Sequence, residues 1–174
     1  MKKDLLSKLN TREAKIGVLG LGYVGLPLAL AYSAKGYEVL GIDIDENKIS
    51  KLNSGKSFIN HVPNRKIKNA LKKGFQATSD FSSTESLDAL IICVPTPLND
   101  YKEPDLRYVE ESIDSIVPFL HKNMALCLVS TTYPGTTEEV VLPKLTSQNS
   151  LILGKDLFLI YSPEREDPGN LDFE

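Results

Sequence analysis

Little in this sequence marks a membrane, nucleic-acid or metal protein. No apolar run approaches the about 20 residues that a membrane-spanning helix needs. The first 14 residues alternate charged and apolar side chains and lack the continuous apolar stretch of a signal peptide, so a cytoplasmic location without a membrane partner is expected. No charge sign dominates: 20 basic residues stand against 23 acidic, a net charge of -3, which leaves no basic surplus for nucleic acid. Cysteine is scarce. Cys93 and Cys127 each lie in an apolar, strand-like run with no basic neighbour, and read as small buried hydrophobes rather than a disulfide or a nucleophile. His61 and His121 have no Cys, His or acid at ligand spacing, so no metal site is expected. Internal repeats and low-complexity tracts are missing too.

What is present is an ordinary globular chain. At 174 residues it is long enough for one well-packed domain, and a second is not expected. Short apolar runs at 15–19, 38–43, 75–80, 89–94, 125–129 and 157–161 read as strands. Between them, residues 26–34, 45–52, 64–73 and 106–120 read as helices, and a further helix begins at Glu138, capped by Thr136 or Thr137. This alternation predicts an α/β fold: a doubly wound, mostly parallel, Rossmann-type sheet with helices on both faces. Residues 1–14 read as a partly helical leader and residues 15–174 as the domain.

The chain is organised around residues 15–43, read as strand, turn, helix and second strand. The turn is Gly20-Leu21-Gly22-Tyr23-Val24-Gly25, a complete G-x-G-x-x-G. Gly20 permits the tight turn, Gly22 lets main chain approach a diphosphate, and Gly25 lets the helix pack on the first strand. The loop amides around Gly22, including those of Tyr23 and Val24, then face the phosphates at the positive end of a helix. Pro27 falls in the first helical turn, where a missing N–H matters little. Asp43 follows 18 residues after Gly25, where its carboxylate can accept both hydroxyls of an adenosine ribose and repel a 2′-phosphate. The cofactor predicted from these residues is NAD rather than NADP. Lys48 is either a solvated helix lysine or a group that turns back to the ribose or phosphates of the nucleotide.

Three later strand ends fall on the same edge. Val94, Pro95 and Thr96 close the fourth strand, and in a doubly wound sheet such an end either lines the cofactor cleft or is a rigid turn. Ser130-Thr131-Thr132 closes the fifth; a hydroxyl cluster there serves either ligand contact or ordinary strand and cap chemistry. The last strand runs into the charged loop of Ser162, Pro163, Glu164, Arg165 and Glu166, continuing to Asn170, which alternation places on that edge as well.

These segments, in this order, resemble the UDP-glucose/GDP-mannose dehydrogenase family. The match rests on Gly20-Leu21-Gly22-Tyr23-Val24-Gly25-Leu26-Pro27, Gly41-Ile42-Asp43 with Lys48-Ile49, Val94-Pro95-Thr96-Pro97, Ser130-Thr131 and Ser162-Pro163-Glu164-Arg165, over about residues 15–170. The last pattern is most like members acting on UDP-N-acetylhexosamines, such as UDP-N-acetylglucosamine 6-dehydrogenase. The resemblance implies oxidation of a UDP-sugar's C6 alcohol to the carboxylate in two NAD-linked steps, serving polysaccharide biosynthesis. A cysteine thiolate holds the aldehyde, a thioester forms, and water hydrolyses it. On the matching positions, Glu164 would be the base that activates this water, Thr131 would hydrogen-bond it, and Glu164, Arg165 and Glu166 would face the sugar.

One departure matters. The family's nucleophilic cysteine, an essential lysine and most of the UDP pocket lie farther along its sequences, beyond a long helix through which members dimerise. Cys93 and Cys127 do not occupy the nucleophile's position. The expectation is therefore an NAD-binding half-enzyme, inactive alone and of open oligomeric state. Two rivals stand beside it: a non-catalytic NAD-binding or assembly module, and the N-terminal domain of another NAD-dependent dehydrogenase, which Pro95-Thr96-Pro97 and Pro163-Glu164-Arg165 disfavour.

Overall fold

Strands that are apolar on both faces must be covered on both faces, and that requirement shapes this chain. The computed structural model describes residues 2–98, 102–147 and 150–163. The strands are β1 (Lys15–Leu19), β2 (Glu38–Ile42), β3 (Gln76–Thr78), β4 (Ala89–Ile92), β5 (Met124–Leu128) and β6 (Leu157–Tyr161). They form one sheet in the order β3-β2-β1-β4-β5-β6, every neighbouring pair parallel. The helices are α1 (Lys2–Thr11), α2 (Gly25–Ala34), α3 (Glu46–Asn53), α4 (Asn64–Lys72), α5 (Arg107–Ile116) and α6 (Leu142–Ser147). This is the doubly wound architecture expected.

Alternate strand residues feed two cores. Ile16, Val18, Val39 and Ile91 pack on one face with Leu26, Leu30, Ile67 and Phe75. Leu19, Ile42, Leu90, Ile92 and Leu126 pack on the other with Val109, Ile113, Ile116 and Leu145. The i, i+4 and i+7 spacing of Val109, Ile113 and Ile116 explains why α5 is a helix and which face it buries. It stops at Ile116, short of the expected end, because Pro118 has no N–H to continue the ladder; the chain tightens into a 3₁₀ turn over Val117–Phe119. Another 3₁₀ turn, Phe81–Ser86, gave no sequence signal and is started by Asp80, whose carboxylate accepts from Ser82 N. Neither Thr136 nor Thr137 caps the helix before Glu138 with its side chain. Thr136 instead donates to Tyr133 O at 2.8 Å, and a wider π-helical turn over Thr137–Val141 leads into α6. Helix α1 lies against the body: Leu5 is buried, Lys8 Nζ donates to Asp88 at 2.7 Å, and Tyr37 Oη donates to Leu9 O at 2.8 Å.

The strand order reverses between β1 and β4, and ligands of such sheets bind outside the carboxyl ends at that point. Register brings the ends level, pairing Leu19 with Ile42 and Ile92, Ile92 with Leu128, and Leu128 with Tyr161. One further rung fixes each next residue: Gly20 N donates to Ile42 O, Cys93 N to Leu19 O, Val129 N to Ile92 O and Ser162 N to Leu128 O. Gly20, Asp43, Cys93, Val129 and Ser162 therefore stand on one edge.

Candidate functional site

The three glycines of the turn do different work. Gly20 has φ of +90°, and a Cβ there would lie 2.6 Å from the Cys93 carbonyl oxygen. At Gly25 a Cβ would collide with the Gly20 carbonyl and sit 3.2 Å from Cys93 Cβ. Both are demanded by the fold itself. At Gly22 a Cβ would meet nothing within 4 Å, so no protein packing explains a glycine there. The space there is open.

The polar groups around that space are those an anion needs. Among the described residues, the amides of Tyr23, Val24 and Gly25 donate to no protein acceptor, while Leu26 N already donates to Gly22 O. Helix α2 has no acidic residue in its first turn and no side-chain cap, so neither of these offsets its positive end. These groups fit a diphosphate in chemistry and in room.

Asp43 follows β2 beside the glycine turn. It is 5% exposed, with Oδ2 accepting from Leu21 N at 2.8 Å and Oδ1 from Asp45 N at 3.0 Å. The carboxylate thus ties the end of β2 to the glycine turn. Lys48 is turned back onto it, its Nζ 3.2 Å from Oδ2 and 3.4 Å from Oδ1. That orientation follows from α3, which Asp45 caps by accepting from Asn47 N and Lys48 N. A carboxylate offers about four lone-pair positions, and three donors already approach this one through four contacts. Lys48 is the mobile member: a ribose diol reaching Asp43 displaces or shares that ammonium, not the two amides.

The opposite wall comes from β4 and β5. Val94 and Thr96 are half-buried and Pro95 is exposed. Ser130 is buried, and its hydroxyl donates to Val94 O at 2.7 Å, holding the Val94-Pro95 turn against the neighbouring strand. Thr131 is exposed, and among the described residues its hydroxyl has no partner. Glu164, Arg165 and Glu166 lie outside the described residues; the chain before them, Ser162 and Pro163, is exposed beyond β6. The edge therefore gathers Gly20, Gly22, Tyr23, Val24, Gly25, Asp43, Lys48, Val94, Pro95, Thr96, Ser130 and Thr131. Sequence reading missed a contact between Tyr23 and His61, whose rings stack with centroids 6.0 Å apart; nothing in the spacing of two residues 38 apart signals it.

Neither thiol is presented as a nucleophile. Cys93 is buried, and Cys127 is partly buried, where desolvation pushes its pKa up. No group of three or more His, Cys, Asp or Glu among the described residues could hold a metal ion, and no helix there is long and apolar enough to cross a membrane.

Residues 14–174 match the sequence profile of the UDP-glucose/GDP-mannose dehydrogenase family, NAD binding domain. The chain belongs to that family. NAD is the cofactor of the matched domain. Among relatives, the chain is 37% identical over 155 residues to protein CapL of Staphylococcus aureus, covering 89% of this chain and 36% of that protein. It is 36% identical over 159 residues to UDP-N-acetyl-D-glucosamine 6-dehydrogenase of Pseudomonas aeruginosa, covering 91% and 37%. Among solved structures, the UDP-N-acetyl-mannosamine dehydrogenase Cap5O from S. aureus superposes with a TM-score of 0.83 at 35% identity, over 90% of this chain and 37% of that one. A ternary complex of GDP-mannose dehydrogenase from P. aeruginosa gives 0.81 at 31% identity, over 86% and 36%. The chain thus spans a little over a third of the length of the family members it matches.

Proposed function

We propose that this chain is the NAD-binding part of a nucleotide-sugar 6-dehydrogenase that oxidises the C6 alcohol of a UDP-N-acetylhexosamine, UDP-N-acetylglucosamine or UDP-N-acetylmannosamine, to the uronate. The observation that carries the reading is the open space at Gly22, bordered by unpaired amides and one turn from Asp43. The names of relatives that are UDP-N-acetyl-D-glucosamine and UDP-N-acetyl-D-mannosamine dehydrogenases support the substrate class. When bound, NAD supplies the hydride acceptor.

In this reading Tyr23 and Val24 bind the diphosphate through main-chain N–H groups. Asp43 holds the adenosine ribose as Lys48 gives way, and Val94, Pro95 and Thr96 wall the cofactor. Ser130 positions that wall through its bond to Val94 O. Thr131, with its unpartnered hydroxyl, orients the hydrolytic water, and Glu164 takes a proton from it; Arg165 and Glu166 contact the sugar. The reaction belongs to polysaccharide biosynthesis in the cytoplasm, and the active enzyme is a homodimer.

Neither Cys93 nor Cys127 supplies an exposed thiolate, so residues 1–174 by themselves bind NAD without turning it over. Absorbance of NADH in a mixture of this protein, NAD and each UDP-N-acetylhexosamine tests the point. A flat trace together with saturable NAD binding is expected; sustained NADH formation would contradict it. The buried thiols equally favour a second reading, an NAD-binding module that docks to a separate catalytic chain. Turnover that appears on adding such a chain separates the two.

A further inference from the structure

One contact beside Gly22 joins two surface side chains from separate segments. Tyr23, flanked by Gly22 and Val24, is 60% exposed, and its ring stacks on His61 with the planes inclined by 27°. His61 is carried on residues 57–63 between α3 and α4, a segment that the core and its own hydrogen bonds hold still. Ile59 and Val62 are buried, Ser57 N donates to Asn64 Oδ1 at 2.7 Å, and Val62 N donates to Ile59 O at 3.1 Å. His61 itself remains at the surface, and among the described residues neither ring nitrogen has a hydrogen-bond partner. The same segment reaches the other end of the site, with the Phe58 ring centroid 5.8 Å from Nζ of Lys48, the lysine paired with Asp43.

We propose that His61 is a further cofactor-binding residue: stacked on Tyr23, it donates a ring N–H to the diphosphate of NAD. The inference rests on the cofactor reading above. Among the described residues the amides of Tyr23 and Val24 have no acceptor and are where the anion is proposed to lie, and the stack holds the imidazole centroid 6.0 Å from that of the Tyr23 ring, whose residue carries one of those amides. An imidazole carries at least one N–H in either protonation state, so the donor is always available. Its plane is set beforehand by the stack, so little side-chain freedom is lost on binding. A residue present only to cover Tyr23 needs a ring and no nitrogen.

Calorimetric titration of NAD, ADP and adenosine into the 174-residue protein and its H61F, H61A and H61Q variants separates these roles. Phenylalanine keeps the stack and removes the donor, whereas glutamine keeps a donor and removes the ring. Loss of a hydrogen bond to a charged group predicts about tenfold weaker NAD and ADP binding for H61F and H61A. H61Q recovers part of that loss, and adenosine binding, which involves no phosphate, stays unchanged. H61F binding ADP as tightly as the parent would overturn the proposal, as would an equal loss for adenosine. If the parent binds no NAD at all, the cofactor reading fails and this inference with it, a result distinct from a parent that binds and an H61F variant that binds equally well.

Discussion

Replacing Gly22 with alanine separates a glycine kept for the ligand from one kept for the fold. The added Cβ meets no protein atom within 4 Å, and Gly22 is not among the residues with left-handed φ. Such a substitution restricts the unfolded chain and stabilises a protein by about 0.4–1 kcal/mol. At about 2–4 °C per kcal/mol for a chain of this length, the melting temperature of G22A should stay level or rise slightly. Its methyl group, however, would stand where the diphosphate is proposed to bind. Overfilling a packed contact costs about 1–3 kcal/mol, which is about 5- to 150-fold in affinity for NAD. G25A is the control: its Cβ runs into the Gly20 carbonyl, so α2 must lift from β1 and the protein should lose several degrees of stability. Thermal melts of the ligand-free proteins and calorimetric NAD titrations read both effects. If G22A binds NAD like the parent, or melts as early as G25A, the reasoning about this cradle is wrong.

Asp43→Ser leaves Lys48 without its partner and removes the charge that repels a 2′-phosphate, so NADP affinity should rise about tenfold and the added K48A change should cancel the gain, both measured by calorimetry. Ser130→Ala deletes the buried bond to Val94 O and should destabilise by about 1 kcal/mol, lowering the melting temperature by about 2–4 °C and weakening NAD binding as the Val94-Pro95 turn loosens. At the other end of the sheet, burial pushes the Asp88 carboxyl up, but hydrogen bonds from Lys8 and from Lys15 N outweigh it and hold its pKa below the ordinary value. A carboxyl so lowered contributes stability that is complete above its unfolded pKa, about 3.9, and is lost as pH falls through the folded one. Melting temperatures of the parent and D88N should therefore differ at pH 7 and converge on acidification below pH about 4; a difference that persists in acid would contradict this.

Much of the fold was legible because the signals were redundant. Continuous apolar runs such as Ala89-Leu90-Ile91-Ile92 suit strands covered on both faces, and the Val109, Ile113, Ile116 spacing suits one helix face. The boundaries that moved did so where local chemistry overrode pattern. Pro118 ended α5 early, and the Thr136 hydroxyl went to Tyr133 O instead of capping. At the site, the glycine motif and Asp43 announce themselves by spacing. The role of each glycine follows from its place in the motif, but that Gly22 faces open space depends on its neighbours in the fold. The roles of Ser130 and Lys48 likewise depend on partners across the sheet edge, and the Tyr23–His61 stack joins segments no periodicity connects.

The central claim is that the unpaired amides beside Gly22 and the Asp43 carboxylate together hold NAD. A crystal structure of the protein grown with NAD tests it most directly. The account predicts the diphosphate over Gly22 within hydrogen-bond distance of the Tyr23 and Val24 amides, the adenosine ribose on Asp43, and Lys48 Nζ moved from its present 3.2 Å contact with Oδ2. A dinucleotide bound elsewhere, or a ribose that leaves the Asp43–Lys48 pair untouched, would contradict it.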